Sequence, residues 1–414
     1  MKKWEIKPPG SSNLLDHDVF IRGEQLRGRR VALLVTGGIA AMKAPLIVRA
    51  LRRLSAEVVV FATEEALKYT TLDSLEWAST NPVVHRLSPQ SEHLSKANPF
   101  DIFVMAPATY NSINKVRNGY ADNAVTTTLA TALGSLEKGQ AKIVIAPVMH
   151  GDFHNSILQE SLEFLQARGV DICPPRDEFG KHNLPDPENI AAFVSHVASK
   201  SSLSGRKILV TAGPTPVPID NVRRIVNKFR GRLGIEIARH LYLSGADVKL
   251  LLGEGSNTPP AYLDTKIFKT YDDYKKSTLE TLKAWPAEVG IFSAAVADYR
   301  PAQVHPGKIP SGGVLKSLDL VPTEKIIDLV QQQFPQTKMI SFKYEENIEH
   351  AALVKKGLAR VDKGHLAVVI NRGEEVGPKG EQIAHLLTRQ SDPVKWTGKD
   401  KIAQGLGEFL EGIL

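Results

Sequence analysis

Two glycine turns are the first places where residue type and spacing point to chemistry. Thr36-Gly37-Gly38-Ile39-Ala40-Ala41 follows the apolar run Val31–Val35 and opens a helix-forming stretch. Bare backbone N–H groups at such a turn can face an anionic phosphate, and a following helix dipole favours the charge. Thr211-Ala212-Gly213-Pro214-Thr215 follows Lys207–Val210 in the same way. A turn of this kind also occurs in α/β domains that bind nothing, so neither turn names a ligand by itself. Neither continues as Gly-x-Gly-x-x-Gly with a later ribose-binding acid, which sets a nicotinamide dehydrogenase aside. The single cysteine, Cys173, excludes a disulfide framework and a clustered thiolate metal site.

The elements that must carry these turns are read from hydrophobic runs. In the first half, strands are predicted at 30–35, 57–62, 101–106, 142–146 and 170–173, a flavodoxin-like count. In the second half they are predicted at 207–211, 247–252, 289–293, 338–342 and 366–370, a Rossmann-like count, with a helix over 400–412. The fold class is therefore α/β, with two doubly wound domains. The polar stretch 199–205 reads as a linker. The expected division is an N-terminal extension over 1–28, a first domain over 29–200 and a second over 201–414. The segment Pro301–Gly313 reads as a mobile loop of the kind that serves as a lid. A chain of 414 residues with 42% hydrophobic and 23% charged residues has the composition of folded domains. Its formal charge of +7 is scattered, without an interleaved aromatic stripe, so small phosphorylated ligands are favoured over nucleic acid. No run reaches membrane-spanning length, and a cytoplasmic location is expected.

Several longer strings sharpen the first half. Ser91-Glu92-His93-Leu94 precedes a strand that ends in Ala106-Pro107-Ala108-Thr109-Tyr110-Asn111-Ser112, and Asn118-Gly119-Tyr120-Ala121-Asp122-Asn123 follows. This part resembles the flavoproteins that decarboxylate cysteine-derived carboxylates, and within a two-domain chain it looks like the phosphopantothenoylcysteine decarboxylase domain. The resemblance implies FMN held by Thr36, Gly37, Gly38, Ile39, Ala40, Thr63, Ala106, Pro107 and Thr109. It implies His93 as the catalytic histidine; taken as a lone residue, His93 also reads as a cap or a surface group. Met149 and His150 stand where the family binds the substrate carboxylate, although Pro147-Val148-Met149-His150 replaces the common Pro-x-Met-Asn. Bacterial members carry a reprotonating cysteine in a substrate clamp, whereas Pro175–Lys181 has no thiol. Lys181 or His182 could replace it, and Cys173, just before, reads more readily as a buried apolar residue.

In the second half, the turn at Gly213 continues into Pro218-Ile219-Asp220-Asn221-Val222-Arg223-Arg224-Ile225 and Asn227, and Gly231-Arg232-Leu233-Gly234 follows. Ser293-Ala294-Ala295-Val296-Ala297-Asp298-Tyr299-Arg300-Pro301, Gly307-Lys308-Ile309 and Leu318–Ile327 extend the pattern. These strings resemble phosphopantothenate–cysteine ligase. The resemblance implies Asn227 and Lys308 as catalytic residues, with Gly213, Ala295, Asp298, Lys308 and Phe342 at the nucleotide. Lys308-Ile309-Pro310-Ser311 has two fewer charges than the family's Lys-x-Lys-Lys. An amide bond forms in water only after the carboxylate gains a leaving group, so CTP or ATP with Mg²⁺ is implied, with the metal on phosphate oxygens and water rather than in a protein cage.

The favoured expectation is a bifunctional enzyme of coenzyme A biosynthesis using 4′-phosphopantothenate and cysteine. One alternative keeps the ligase and makes the flavin half structural; the other is a flavin-binding interaction protein. The resemblance also implies a homo-oligomer, with trimeric flavin domains and dimeric ligase domains.

Overall fold

A computed structural model describes residues 6–94, 96–310, 312 and 317–414. The chain divides into two compact units, Met1–Ser199 and Lys200–Leu414.

The first unit holds β1 (Arg30–Val35), β2 (Glu57–Ala62), β3 (Ile102–Ala108), β4 (Lys142–Pro147), β5 (Met149–His150), β6 (Asp171–Ile172), β7 (Arg176–Glu178) and β8 (Lys181–Asn183). Five of them form one sheet in the order β2-β1-β3-β4-β6, with every pair parallel. Val31–Val35 is buried on both faces, which is why it reads as an unbroken apolar run rather than an alternating one. Each fully buried aliphatic side chain in such a layer contributes about 1.5–3 kcal/mol. The strand order reverses between β2-β1 and β3-β4, so the crevice between the C-terminal ends of β1 and β3 is the switch point where α/β sheets bind ligands. β5, β7 and β8 form a separate antiparallel flap, Met149 facing His182 and His150 facing Lys181. Short polar strands of two or three residues carry no periodicity, so the flap had no sequence signal. The stretch before β1 is tied to this unit: Val19 and Leu26 are buried, and the N–H groups of Arg22 and Leu26 donate to the carbonyls of Arg53 and Leu54.

The second unit holds β9 (Lys207–Ala212), β10 (Val217–Pro218), β11 (Arg224–Ile225), β12 (Asp247–Gly253), β13 (Asp264–Phe268), β14 (Val289–Phe292), β15 (Tyr299–Pro301), β16 (Leu320–Pro322), β17 (Lys338–Glu345), β18 (Ala367–Arg372), β19 (Ile383–Leu387) and β20 (Val394–Thr397). Its main sheet has eight strands in the order β13-β12-β9-β14-β17-β18-β19-β20, parallel as far as β18 and antiparallel beyond it. The five expected strands are its centre; β13, β19 and β20 are additions. β13 and β20 are mostly exposed four- and five-residue strands, too short and too polar to stand out. The predicted C-terminal helix is Lys399–Glu411.

The expected mobile loop is replaced in part by regular structure. Pro301 ends β15, which pairs antiparallel with β16, and the chain beyond it is fastened to the turn at 219–223. The N–H of His305 donates to Ile219 O, that of Asn221 to Gly307 O, and that of Ile309 to Asp220 Oδ2. Ser311 and Gly313, at the far end of that loop and of the lysine string, lie outside the described residues. No helix among the described residues is long and apolar enough to cross a membrane.

Candidate functional site

At the switch point of the first unit, a threonine joins the two walls of the crevice. Thr36 follows β1, is fully buried, and donates through Oγ1 to Pro107 O at 2.8 Å while accepting the N–H of Thr109 at 3.2 Å. Thr109 in turn caps the helix Tyr110–Arg117 by accepting from Ser112 N. Gly37 is required by close approach, since a Cβ there would stand 2.4 Å from Glu65 Cβ. The α-helix after this turn begins only at Ala44, behind a 3₁₀ turn over Ile39–Lys43. The exposed N–H groups of the turn are therefore the nearer anion donors, and the dipole of the α-helix is set back from them.

A cavity of about 420 Å³ opens here, lined by Gly37, Thr63, Thr109, Met149 and His150 among others. Residues from the ends of β1, β2, β3 and β4 thus meet, as expected. Thr36, Ala106 and Pro107 are buried behind its wall. Gly38, Ile39, Ala40 and His93 do not line it; Ile39 is 69% exposed, and His93 Nδ1 is buried without a hydrogen-bond partner. The wall also includes Lys115, Asn123 and Phe153, to which the sequence reading assigned no role. Asn123 was inside a quoted string; Lys115 and Phe153 had no signal. Lys115 pairs with Asp122, whose carboxyl this contact holds below its usual range. Tyr110 and Phe153 pack in a tilted pair with 5.4 Å between ring centroids.

The flap beside this cavity carries a chain of polar contacts. His182 Nδ1 is 2.6 Å from Asp177 Oδ1, and His182 Nε2 is 2.8 Å from His154 Nδ1. Cys173 is buried, and desolvation pushes its thiol up to about 12.

In the second unit the order reverses between β12-β9 and β14-β17, and three of the predicted residues, Gly213, Asn227 and Ala295, meet at that point, whereas Asp298, Lys308 and Phe342 have other neighbours. Ala295 N donates to Gly213 O at 2.8 Å, and Asn227 Nδ2 donates to Ala295 O at 3.0 Å. Gly213 has φ +81° and packs where a Cβ would stand 2.9 Å from Gly253 N. Gly234 lets its helix close on β9, since a Cβ would be 2.4 Å from that of Ala212. Asp298 pairs with Lys325. Arg360 reaches from the helix His350–Asp362 to donate to Phe342 O at 2.9 Å. Lys308 is exposed, between two residues fastened to the 219–223 turn. Asp220 is buried and holds that turn. The Ile309 N–H first, then the N–H groups of Arg223 and Val222 and the Arg223 guanidinium, keep its carboxyl well below the usual range. Asp220 and Lys325 belong to the Pro218–Ile225 and Leu318–Ile327 motifs, which gave them no role, and Arg360 comes from a helix outside every motif.

Two doubly wound sheets, each with a glycine turn at its reversal of strand order, define a two-unit α/β protein with a switch-point crevice in each unit. The flavoprotein family matches residues 20–199, and the DNA/pantothenate metabolism flavoprotein C-terminal domain family matches residues 203–412. The coenzyme A biosynthesis bifunctional protein CoaBC of Thermococcus kodakarensis is 31% identical over 95% of this chain and 97% of its own. That of Haemophilus influenzae is 34% identical over 73% of this chain and 77% of its own. A solved DNA/pantothenate metabolism flavoprotein from Streptococcus pneumoniae covers 51% of this chain and 100% of its own, at 25% identity and a TM-score of 0.46. The chain belongs to the CoaBC family of bifunctional coenzyme A biosynthesis proteins.

Proposed function

We propose that the second unit joins 4′-phosphopantothenate to cysteine at the expense of CTP or ATP. The first unit then decarboxylates the phosphopantothenoylcysteine to 4′-phosphopantetheine on FMN. Family membership supports both activities. The observation that carries the decarboxylation is the cavity where Gly37, Thr63, Thr109, Met149 and His150 converge from four strand ends.

That cavity suits a flavin nucleotide in its donor set. The Gly37 turn is bare backbone, Thr63 and Thr109 supply hydroxyls, and Lys115 supplies a cation at the wall. When bound, FMN supplies the two-electron oxidation that gives the departing carboxylate an electron sink. Thr36 keeps the walls at fixed separation. His150 Nδ1 accepts the N–H of Asp152 at 3.3 Å, which leaves the proton on Nε2, the atom assigned to the substrate carboxylate. His93 is the acid or base near the reacting side chain. Because it stands off the cavity of its own copy, the reading places it in a homo-oligomer. The exposed apolar side chains Ile39, Met42 and Tyr120, at 69, 60 and 58%, support such association. His182 takes the place of the clamp thiol: Asp177 orients its ring, and a proton is held between its Nε2 and His154 Nδ1.

In the second unit, Asn227 holds the acyl-nucleotide and Lys308 neutralises charge as it forms and breaks. Asp298 and Phe342 receive the nucleoside, Gly213 and Ala295 floor the pocket, and Mg²⁺ travels on the triphosphate. On this reading the protein works in the cytoplasm on small molecules, with no nucleic-acid or membrane partner, and the family resemblance implies trimers of flavin units and dimers of ligase units.

The test supplies purified chain, under anaerobic conditions, with 4′-phosphopantothenate, cysteine, Mg²⁺ and CTP or ATP. Flavin absorbance, pyrophosphate release and then carbon dioxide are expected. Pyrophosphate without carbon dioxide would make the flavin unit an assembly module; a colourless protein that consumes no nucleotide would overturn the proposal.

A further inference from the structure

His350, Glu375 and His385 converge in the second unit, apart from every residue used above. His350 opens the helix His350–Asp362, Glu375 lies in the loop after β18, and His385 sits on β19 opposite Ile370. One donor atom from each lies within 4.8 Å of the other two. His350 Nδ1 is 3.2 Å from Glu375 Oε1, and His385 Nδ1 is 3.8 Å from Glu375 Oε2.

These contacts are at ion-pair distance but are not hydrogen bonds. His350 Nδ1, His385 Nδ1 and Glu375 Oε2 are all buried without a hydrogen-bond partner. Three orphaned polar atoms at one point are costly in a folded protein unless something absent from the polypeptide meets them. His385 is itself 8% exposed, so water has little access to it. Arg372 Nη2 donates to Glu375 Oε1 at 2.9 Å, which holds the carboxylate in place and leaves Oε2 as the orphan.

The spacing names the missing group. A tetrahedral ion with nitrogen and oxygen donors at about 2.0–2.1 Å separates each donor pair by roughly 3.4 Å; the orphaned pair His385 Nδ1 and Glu375 Oε2 stand 3.8 Å apart, and one donor atom from each of the three residues lies within 4.8 Å of the others, so small side-chain shifts bring them to that spacing. Two imidazoles and one carboxylate are ligands for zinc-like ions; magnesium prefers oxygen and water. We propose that His350, Glu375 and His385 bind a divalent transition-metal ion, best matched by zinc, with a fourth position for water or an anionic ligand atom. The ion fastens the loop after β18 to β19 and to the start of the helix, at the end of the sheet where the nucleotide crevice also opens. The nearby Arg372 charge weakens the site relative to one without it.

The test uses the full-length flavin-loaded protein, stripped of metal with a chelator and dialysed against zinc without nucleotide. Elemental analysis should find one equivalent more zinc in the unaltered chain than in Glu375→Gln or the double variant His350→Gln/His385→Gln, with magnesium failing to compete. Equal uptake by the unaltered chain and a folded variant, or no uptake by either, overturns the proposal. Should the variants lose their circular dichroism, cobalt in the unaltered chain decides. Intense visible bands of a tetrahedral ion, beyond the flavin absorption, support the site, and only the faint bands of hydrated cobalt overturn it.

Discussion

Thr36→Val tests whether one buried hydroxyl holds the flavin crevice together. Valine matches threonine in shape, so at a fully buried position the change removes hydrogen bonding and little else. It strands two groups: the Pro107 carbonyl, which now accepts from Thr36 at 2.8 Å, and the Thr109 N–H, which now donates to it at 3.2 Å. Each orphaned group costs about 1–3 kcal/mol. The second contact is the longer, so a total of about 2–4 kcal/mol is expected. For a unit of this size, about 2–4 °C of melting temperature goes with each kcal/mol, which predicts a drop of roughly 4–16 °C. Because the chain has two units, the transition should be followed by release of flavin fluorescence, which reports the first unit alone. Thr36→Ser is the control: it keeps the oxygen, loses one methyl, and should cost only about 1 kcal/mol. If Thr36→Val melts with or above Thr36→Ser and keeps its flavin equally well, the hydroxyl does not brace the site.

The remaining predictions concern single groups. Asn227→Ala and Lys308→Ala should each slow pyrophosphate release about 10- to 100-fold, the worth of one hydrogen bond to a charged group; carbon dioxide release from supplied phosphopantothenoylcysteine should be unchanged, and intact ligation in both would remove these assignments. His182→Gln should lower decarboxylation turnover about 100-fold while the flavin spectrum stays as it is; unaltered turnover would return the proton donor to another group. Asp220 has a depressed folded-state pKa, so its contribution is present above its unfolded value of about 3.9 and is lost as pH falls toward the lower folded value. The urea midpoint of the second unit should therefore fall more steeply below about pH 4 in the unaltered chain than in Asp220→Asn, and equal slopes would refute the role. With its thiol pushed up to about 12, Cys173 should resist iodoacetamide at pH 8 until the protein is unfolded; alkylation of the native chain at the rate of a free thiol would contradict its burial.

By itself, the sequence determined the two-unit α/β plan and the central strands of both sheets. Parallel strands buried on both faces must be continuous apolar runs, and Val31–Val35 and Lys207–Ala212 leave that imprint wherever they fold. The glycines at 37, 213 and 234 were legible for a related reason: a backbone approach that admits no Cβ leaves glycine as the only residue that fits. What lacks periodicity was not legible. The place of β5 in the flap and the fastening of the loop after Pro301 by Asp220 rest on hydrogen bonds between distant segments, which impose no pattern on either segment alone, and β7, β8, β13 and β20 are too short and polar to show a period. Arg360, Lys115 and the trio His350, Glu375 and His385 are of the same kind. Their meaning lies in which neighbours the folded chain brings within a few ångströms, and that distance is a property of the tertiary structure, set by the packing of whole helices and strands.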